Sequence, residues 1–348
     1  MTAAPPGSFA ARHWYRRTAL STLLLPIAWT FSLIAALRRL MYRTGLFPSV
    51  RLPVPVVVVG NLTVGGTGKT PLVIWMAKML RSKGMHPGIV LRGYAGAQRG
   101  EREVFAGTGA ALVGDEAVLL VERTGCPVWV GANRAAAASA LLRSHPLCNV
   151  LICDDGLQHY RLARDLEIAV EDERGHGNGR LLPAGPMREP ANRPVELTVA
   201  NVPGDRALPV RNGRVLRMTF VPDQLRWVAG ECAGESVGIE RLKGMRLHAV
   251  AGIGNPARFF SMLDAMGLNA TAHAFPDHHA FAPADLELLD SDAILMTEKD
   301  AVKCRTFERH DLIAVSVVAD PDPELAEFIL RVATEATWRD RKESGAPI

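Results

Sequence analysis

Residues 18–37, TALSTLLLPIAWTFSLIAAL, run for twenty positions without a charge, with Arg16 and Arg17 before them and Arg38, Arg39 and Arg43 after. A helix of that length rises about 30 Å, the hydrocarbon thickness of a bilayer. Pro26 and five Ser or Thr residues dilute the stretch. Arginines at both ends give no orientation by the positive-inside rule. The pattern predicts a helix lying in the interface, with its arginines on anionic headgroups. A buried core helix is the competing reading. A cleaved leader fits poorly, because Arg38 and Arg39 stand where the cut would fall.

Beyond this segment short apolar runs alternate with helical patterns. Residues 56–59, VVVV, read as a buried strand, and residues 71–84 as the helix after it, with Pro71 in its first turn. Residues 88–96, 126–134 and 149–159 each read as a strand running into a loop, and a helix begins near Asp115. Residues 213–230 read as two strands around a Pro222-Asp223 turn, residues 247–263 as strand, turn and helix, and residues 292–303 as a strand with a polar end. Strands alternating with helices predict a parallel α/β sheet with ligands at the carboxyl ends of its strands. The expected organisation is a membrane-associating segment over 1–48, a P-loop NTPase-like domain over 49–207, a two-stranded connector over 208–232, and a second, smaller α/β domain over 233–348.

The chain has 348 residues, 48% hydrophobic and 22% charged, enough for two ordinary domains. Its net charge of +4 hides an asymmetry: residues 1–100 hold 13 Lys or Arg and no Asp or Glu, and the other 248 hold 27 basic against 36 acidic residues. A basic N-terminal part is an electrostatic address for nucleic acid or a membrane, and the uncharged segment selects the membrane. Five cysteines without a CxxC pair fit neither a disulfide framework nor a zinc site. Cys148 and Cys153 read as packing residues.

The strand at 56–59 leads into TVGGTGKT, which matches GxxxxGK[ST] except that Thr63 replaces the first Gly. Thr63, Val64, Gly65, Gly66, Thr67 and Gly68 would close backbone N–H groups on phosphate oxygens, Lys69 would reach the β- and γ-phosphates, and Thr70 would bind Mg²⁺. Asp154 and Asp155 end another strand, where adjacent carboxylates are costly without a cation. Asp115 reads either as a helix N-cap or as a carboxylate beside the γ-phosphate. The PDHH run offers His278 or His279 as a loop histidine able to tune or accept a proton. Gly252, Gly254 and Ala257 fit GxGxx[GA], a weak dinucleotide signal. Residues 297–300, TEKD, superficially match a guanine-reading [NT]KxD with Lys one place late.

The ordered set GNLTVGGTGKTP, RGY, GDE, DDGLQH, LLPAGPMREP, FPDHH and TEKDAVK resembles the tetraacyldisaccharide 4′-kinase family of the lipid A pathway over nearly the whole chain. The resemblance implies transfer of the ATP γ-phosphate to the 4′-hydroxyl of tetraacyldisaccharide 1-phosphate, giving lipid IVA. It implies ATP and Mg²⁺, a lipid A precursor and inner-membrane phospholipid as partners, no nucleic acid, and a place on the cytoplasmic face of the inner membrane, either peripheral or anchored by the single N-terminal helix. It assigns Asp115 as catalytic carboxylate with His278 as its dyad partner, and Asp154, Asp155 and Glu189 to the metal with Thr70. Tyr94, Arg134, His159, Asn178 and Arg188 fall to the substrate and phosphate surround. A membrane-docked nucleotide-switch GTPase or ATPase and a dinucleotide-binding module are the rival readings. Oligomeric state is not legible.

Overall fold

The structure is a computed structural model that describes residues 13–93, 100–287 and 290–343. Helix α1 (Ala19–Leu23) is capped by Thr18, which exchanges hydrogen bonds with Ser21, and α2 (Leu25–Arg43) follows after Leu24. The uncharged stretch is therefore two helices rather than one. Pro26 accounts for the break: it has no N–H for the preceding turn and its ring suits only the first turn of a helix. Helix α2 continues through Arg38, Arg39 and Arg43, and leaves Trp29, Leu33, Ile34, Leu37 and Leu40 exposed. No described helix is long and apolar enough to cross a membrane.

The chain then alternates as expected. β1 (Val56–Gly60), α3 (Lys69–Ser82), β2 (Pro87–Leu91), β3 (Arg102–Val104), α4 (Ala110–Val113), α5 (Asp115–Thr124), β4 (Val128–Val130), α6 (Arg134–Ser144), β5 (Val150–Asp154), β6 (Leu166–Asp172) and β7 (Leu197–Asn201) form the first part. β8 (Arg214–Trp227), α7 (Ile239–Leu242), β9 (Leu247–Ala251), α8 (Pro256–Ala265), β10 (Ala270–Ala274), α9 (Ala284–Glu287), β11 (Ala293–Thr297), α10 (Glu298–Cys304), β12 (Leu312–Pro321) and α11 (Glu324–Glu343) form the second.

One twelve-stranded sheet runs through both parts in the order β10-β9-β11-β12-β8-β7-β6-β1-β5-β2-β4-β3. All pairs are parallel except β3 with β4 and β8 with β12. Strand β1 is covered on both faces: Val57 and Val59 join the core with Leu72 and Met76 of α3, and Val56 and Val58 the core with Leu141 and Leu157. That is why it reads as a continuous valine run rather than an alternation. Cys148 and Cys153 pack in the second of these cores.

The connector expected as two strands around a turn is one fourteen-residue strand, β8. Pro222 lies opposite Val317 at a register shift against β12, so the Pro-Asp pair makes a bulge, not a reversal. β8 pairs in parallel with β7 through its first five residues and antiparallel with β12 thereafter. Met218 faces both Asn201, the last residue of β7, and Pro321, the last of β12. The second parallel block therefore lies beyond the carboxyl edge of the first and points back at it. The carboxyl ends of both blocks open on one cleft, where α/β sheets bind their ligands.

Candidate active site

The phosphate loop leaves β1 and ends at Gly68, which caps α3 with φ 96°. A side chain at Gly68 would be strained at that φ, and its Cβ would sit 2.5 Å from both Asn201 Nδ2 and Phe220 Cζ. The start of the loop bridges Met187 through Thr63, and Val64 N donates to Pro186 O at 2.8 Å. This bridge delivers Arg188 to the strand end of β5. There Arg188 Nη1 lies 3.0 and 3.1 Å from the two Asp155 carboxylate oxygens, and Lys69 Nζ lies 3.5 Å from Oδ1. Burial raises the Asp155 pKa, but Lys69 and Arg188 outweigh it and bring it down to about 2. Asp155 adopts φ 50°, which Asp tolerates better than most residues.

Asp154 has no such cation in contact among the described residues. Burial and the nearby Glu116 charge push it up to about 7. Its Oδ1 and the Thr67 hydroxyl are buried with no hydrogen-bond partner among the described residues. Orphaned buried oxygens are costly, and a carboxylate of this kind fits a hard cation with few protein ligands, as Mg²⁺ on a polyphosphate requires. A cavity of about 230 Å³ opens from the loop, walled by Phe220, Ile253, Phe259 and Met262 and edged by Glu116 and Asp277.

Asp115 is the first residue of α5, and Gly114 is the cap, so the N-cap reading fails. Asp115 is 6% exposed. Its Oδ1 accepts from Glu116 N at 2.9 Å, and its Oδ2 lies 3.5 Å from His278 Nδ1 and 3.4 Å from Lys303 Nζ. Burial raises its pKa, but the contact with His278 and the charges of Lys299 and Lys303 outweigh it and hold the carboxyl below the ordinary range. The same contact raises His278. His278 is a left-handed residue, φ 58°, whose N–H donates to Gly252 O. His279 turns away to Asp285 at 3.0 Å and packs against Phe275 and Phe281. Geometry thus separates the two histidines, which the sequence pattern alone does not.

The lysines come from TEKDAVK. Thr297 caps α10, Lys299 Nζ contacts Glu116 at 3.0 Å, and Lys303 Nζ bridges Asp115 and Asp300. Their i, i+4 spacing on one helix face was the available signal. Asp300, fully buried, accepts from Gly252 N and Thr297 Oγ1. It is spent on structure and does not read a base. The 252–257 glycines are likewise spent on packing: a Cβ on Gly254 would lie 2.2 Å from Gly66 N.

Other expectations resolve differently. Arg134 is 1% exposed and donates to His159 Nε2 at 3.0 Å and to Asp155 O at 3.3 Å, so both residues back the Asp155 turn. Glu189, expected at the metal, has Oε1 taken by the Tyr160 hydroxyl at 2.5 Å and Oε2 paired with Arg193. Asn178, expected near substrate, spends its Nδ2 on the His13 and Ala184 carbonyls and its Oδ1 on Arg180 N. It fastens the N-terminal segment to the loop after β6. Tyr94 lies outside the described residues.

Burial first and the Arg134 charge second pull His159 down to about 4, so it is neutral at pH 7. The unfolded chain, with its ordinary value near 6.5, takes up this proton first as pH falls. His159 therefore contributes stability that is lost between pH 6.5 and about 4. His159→Gln keeps an acceptor for Arg134 and is expected to flatten the fall in unfolding free energy across that window. Unfolding free energies that fall equally steeply between pH 6.5 and about 4 in variant and parent, from denaturant titrations at each pH, would contradict this.

The profile of the family described as tetraacyldisaccharide-1-P 4′-kinase matches residues 20–334. The chain belongs to this family. It is 50% identical to the tetraacyldisaccharide 4′-kinase of an Azoarcus species over 323 residues, 92% of this chain and 94% of that one. It is 48% identical to that of Methylobacillus flagellatus over 320 residues, with the same shares covered. The fold matches LpxK from Aquifex aeolicus, solved in complex with ATP, at a TM-score of 0.76 and 27% identity, over 90% of this chain and 99% of that one. The matched span contains every motif that forms the cleft in this chain: the phosphate loop, GDE, DDGLQH, MREP, PDHH and TEKD.

Proposed function

We propose that the chain transfers the γ-phosphate of ATP to the 4′-hydroxyl of tetraacyldisaccharide 1-phosphate, forming the 1,4′-bisphosphate. One observation carries the reading: in a chain of this family, the phosphate loop and Asp115 of the first part meet His278 of the second part at one cleft. The nucleoside lies in the cavity beside Phe220 and Phe259. The phosphates lie on the amides of residues 65–68, with Lys69 on the β- and γ-oxygens. Asp154 and the Thr70 hydroxyl would hold Mg²⁺, which would supply positive charge to the transferring phosphate. Arg188, held by Asp155, adds charge beside them.

The 4′-hydroxyl approaches Asp115. Phosphoryl transfer passes through a loose transition state in which the nucleophile keeps its proton until late. A strong base is unnecessary; orientation and a ready acceptor suffice. A carboxylate held ionised by Lys299, Lys303 and His278 does both. Its Oδ2 accepts the hydroxyl proton as the O–P bond forms and ADP leaves. His278 keeps that carboxylate aimed, and its favoured positive charge offsets the anionic surroundings.

The exposed apolar side of α2, with Arg38, Arg39 and Arg43 at its end, lies flat on anionic phospholipid at the cytoplasmic face of the inner membrane. The triple variant Leu33→Ser, Ile34→Ser, Leu37→Ser is expected to lose co-sedimentation with phosphatidylglycerol vesicles. Removing three such side chains forfeits several kcal/mol, at roughly 1.5–3 kcal/mol each. Retained sedimentation would place the contact elsewhere.

The switch-GTPase reading is not favoured, because Asp300 is buried in structural hydrogen bonds and Lys299 is paired with Glu116. ADP release on adding the disaccharide 1-phosphate in mixed micelles, with ATP preferred over GTP and chelation stopping the reaction, tests the proposal. Acceptor-independent turnover with GTP preferred would reverse it.

A further inference from the structure

Three side chains grip three consecutive carbonyls of the phosphate loop. Asn61 Nδ2 donates to Gly65 O at 3.0 Å, Arg174 Nη2 to Gly66 O at 2.5 Å, and Asn201 Nδ2 to Thr67 O at 3.0 Å. In a planar trans peptide the carbonyl and the next N–H point in opposite directions. Pinning these carbonyls turns the N–H groups of Gly66, Thr67 and Gly68 away from the braces, which is how a run of backbone amides becomes an anion cradle.

Two of the braces are shared with the second part of the chain. Arg174 Nη1 donates to Gly254 O at 2.7 Å, while its Nε is fixed by Asp172 at 2.8 Å. Asn201 Oδ1 accepts from Arg258 Nη2 at 2.5 Å. Both partners sit at the start of α8, where Gly254 backs onto Gly66 with no room for a Cβ. The third brace, Asn61, is tied instead to the loop's own Lys69, at 3.2 Å. The planar guanidinium of Arg174 can serve two carbonyls at once in a fixed fork, which a lysine cannot.

We propose that Arg174 and Asn201 are positioning residues that set the loop amides for the ATP phosphates, each aimed for that task by its contact with residues 254–258. The proposal rests on the reading that residues 63–70 hold the triphosphate.

Steady-state kinetics test it. Arg174→Met and Asn201→Leu are each expected to raise the KM for MgATP at least tenfold and to move the KM for the glycolipid acceptor less than twofold. Arg174→Lys should recover part of the loss. Arg258→Met should add less than twofold to Asn201→Leu, because the two act on one contact. Thermal melts check folding; if Arg174→Met does not fold, Arg174→Lys and Asn201→Leu carry the test. A MgATP KM within twofold of the parent in both Arg174→Lys and Asn201→Leu overturns the proposal. So does an equal rise in both KM values, which marks general damage. Lys69→Met separates the underlying reading: if it too leaves MgATP untouched, the triphosphate lies elsewhere.

Discussion

Asp115→Asn lowers turnover by about 10²–10⁴, the usual worth of general-base help, while the KM for MgATP stays within twofold. Asparagine keeps the shape of the side chain and can still accept the Glu116 N–H, so α5 starts as before. What it loses is the negative charge between His278 at 3.5 Å and Lys303 at 3.4 Å, and the ability to take a proton. Neither His278 nor Lys303 lines the cavity beside the phosphate loop, so the nucleotide is not expected to be disturbed. Single-turnover measurements at saturating ATP check the result. Phosphate transfer at the parent rate would remove Asp115 from the chemistry.

Lys69→Met is the second large effect. Lys69 reaches out of the first turn of α3, held by Asn61 at 3.2 Å and Asp155 at 3.5 Å. Both partners leave it aimed along the loop, where phosphate oxygens gather charge during transfer. Losing one preorganised charge of this kind costs about 10²–10³ in turnover, and here it also removes ground-state attraction for ATP. Both kcat and kcat/KM for ATP should fall, and the drop in kcat/KM should be the larger. Equal values for parent and variant would mean the lysine is spent on Asp155 alone. The variant also frees Asp155 from one of its two cations, so its carboxylate should become easier to protonate.

Much of this site was legible before any fold was seen, and the reasons are local. The valine run, the glycines and Lys69-Thr70 carry their own geometry, because a strand, a tight turn and a helix start each constrain residue type. Asp115 and His278 are 163 positions apart, and only the ordered motifs brought them together. What stayed hidden depended on partners distant in sequence. Glu189 looks like a metal ligand beside Arg188 until Tyr160 and Arg193 take its oxygens. Asn178 looks like a substrate residue until the His13 carbonyl arrives from the far end of the chain. Arg174 and Asn201 carry no motif at all, and Asn61 sits inside one that does not show its task, since a donor to a backbone carbonyl leaves no pattern in the sequence. The Pro222-Asp223 pair reads as a turn on composition, but β8 is long enough to absorb it as a bulge. Pro26, read only as a weakness in a single helix, marks the start of a second one.

The most direct measurement is of the product itself. The purified chain is incubated with ATP labelled in the γ-phosphate, Mg²⁺ and tetraacyldisaccharide 1-phosphate in mixed micelles, and the lipid is isolated for phosphorus–proton correlation spectroscopy. The expected spectrum has a second phosphate coupled to the proton on C4′, with the label in that group and one ADP formed per phosphate transferred. Label recovered as inorganic phosphate, or coupled to any other ring position, would contradict the proposed reaction.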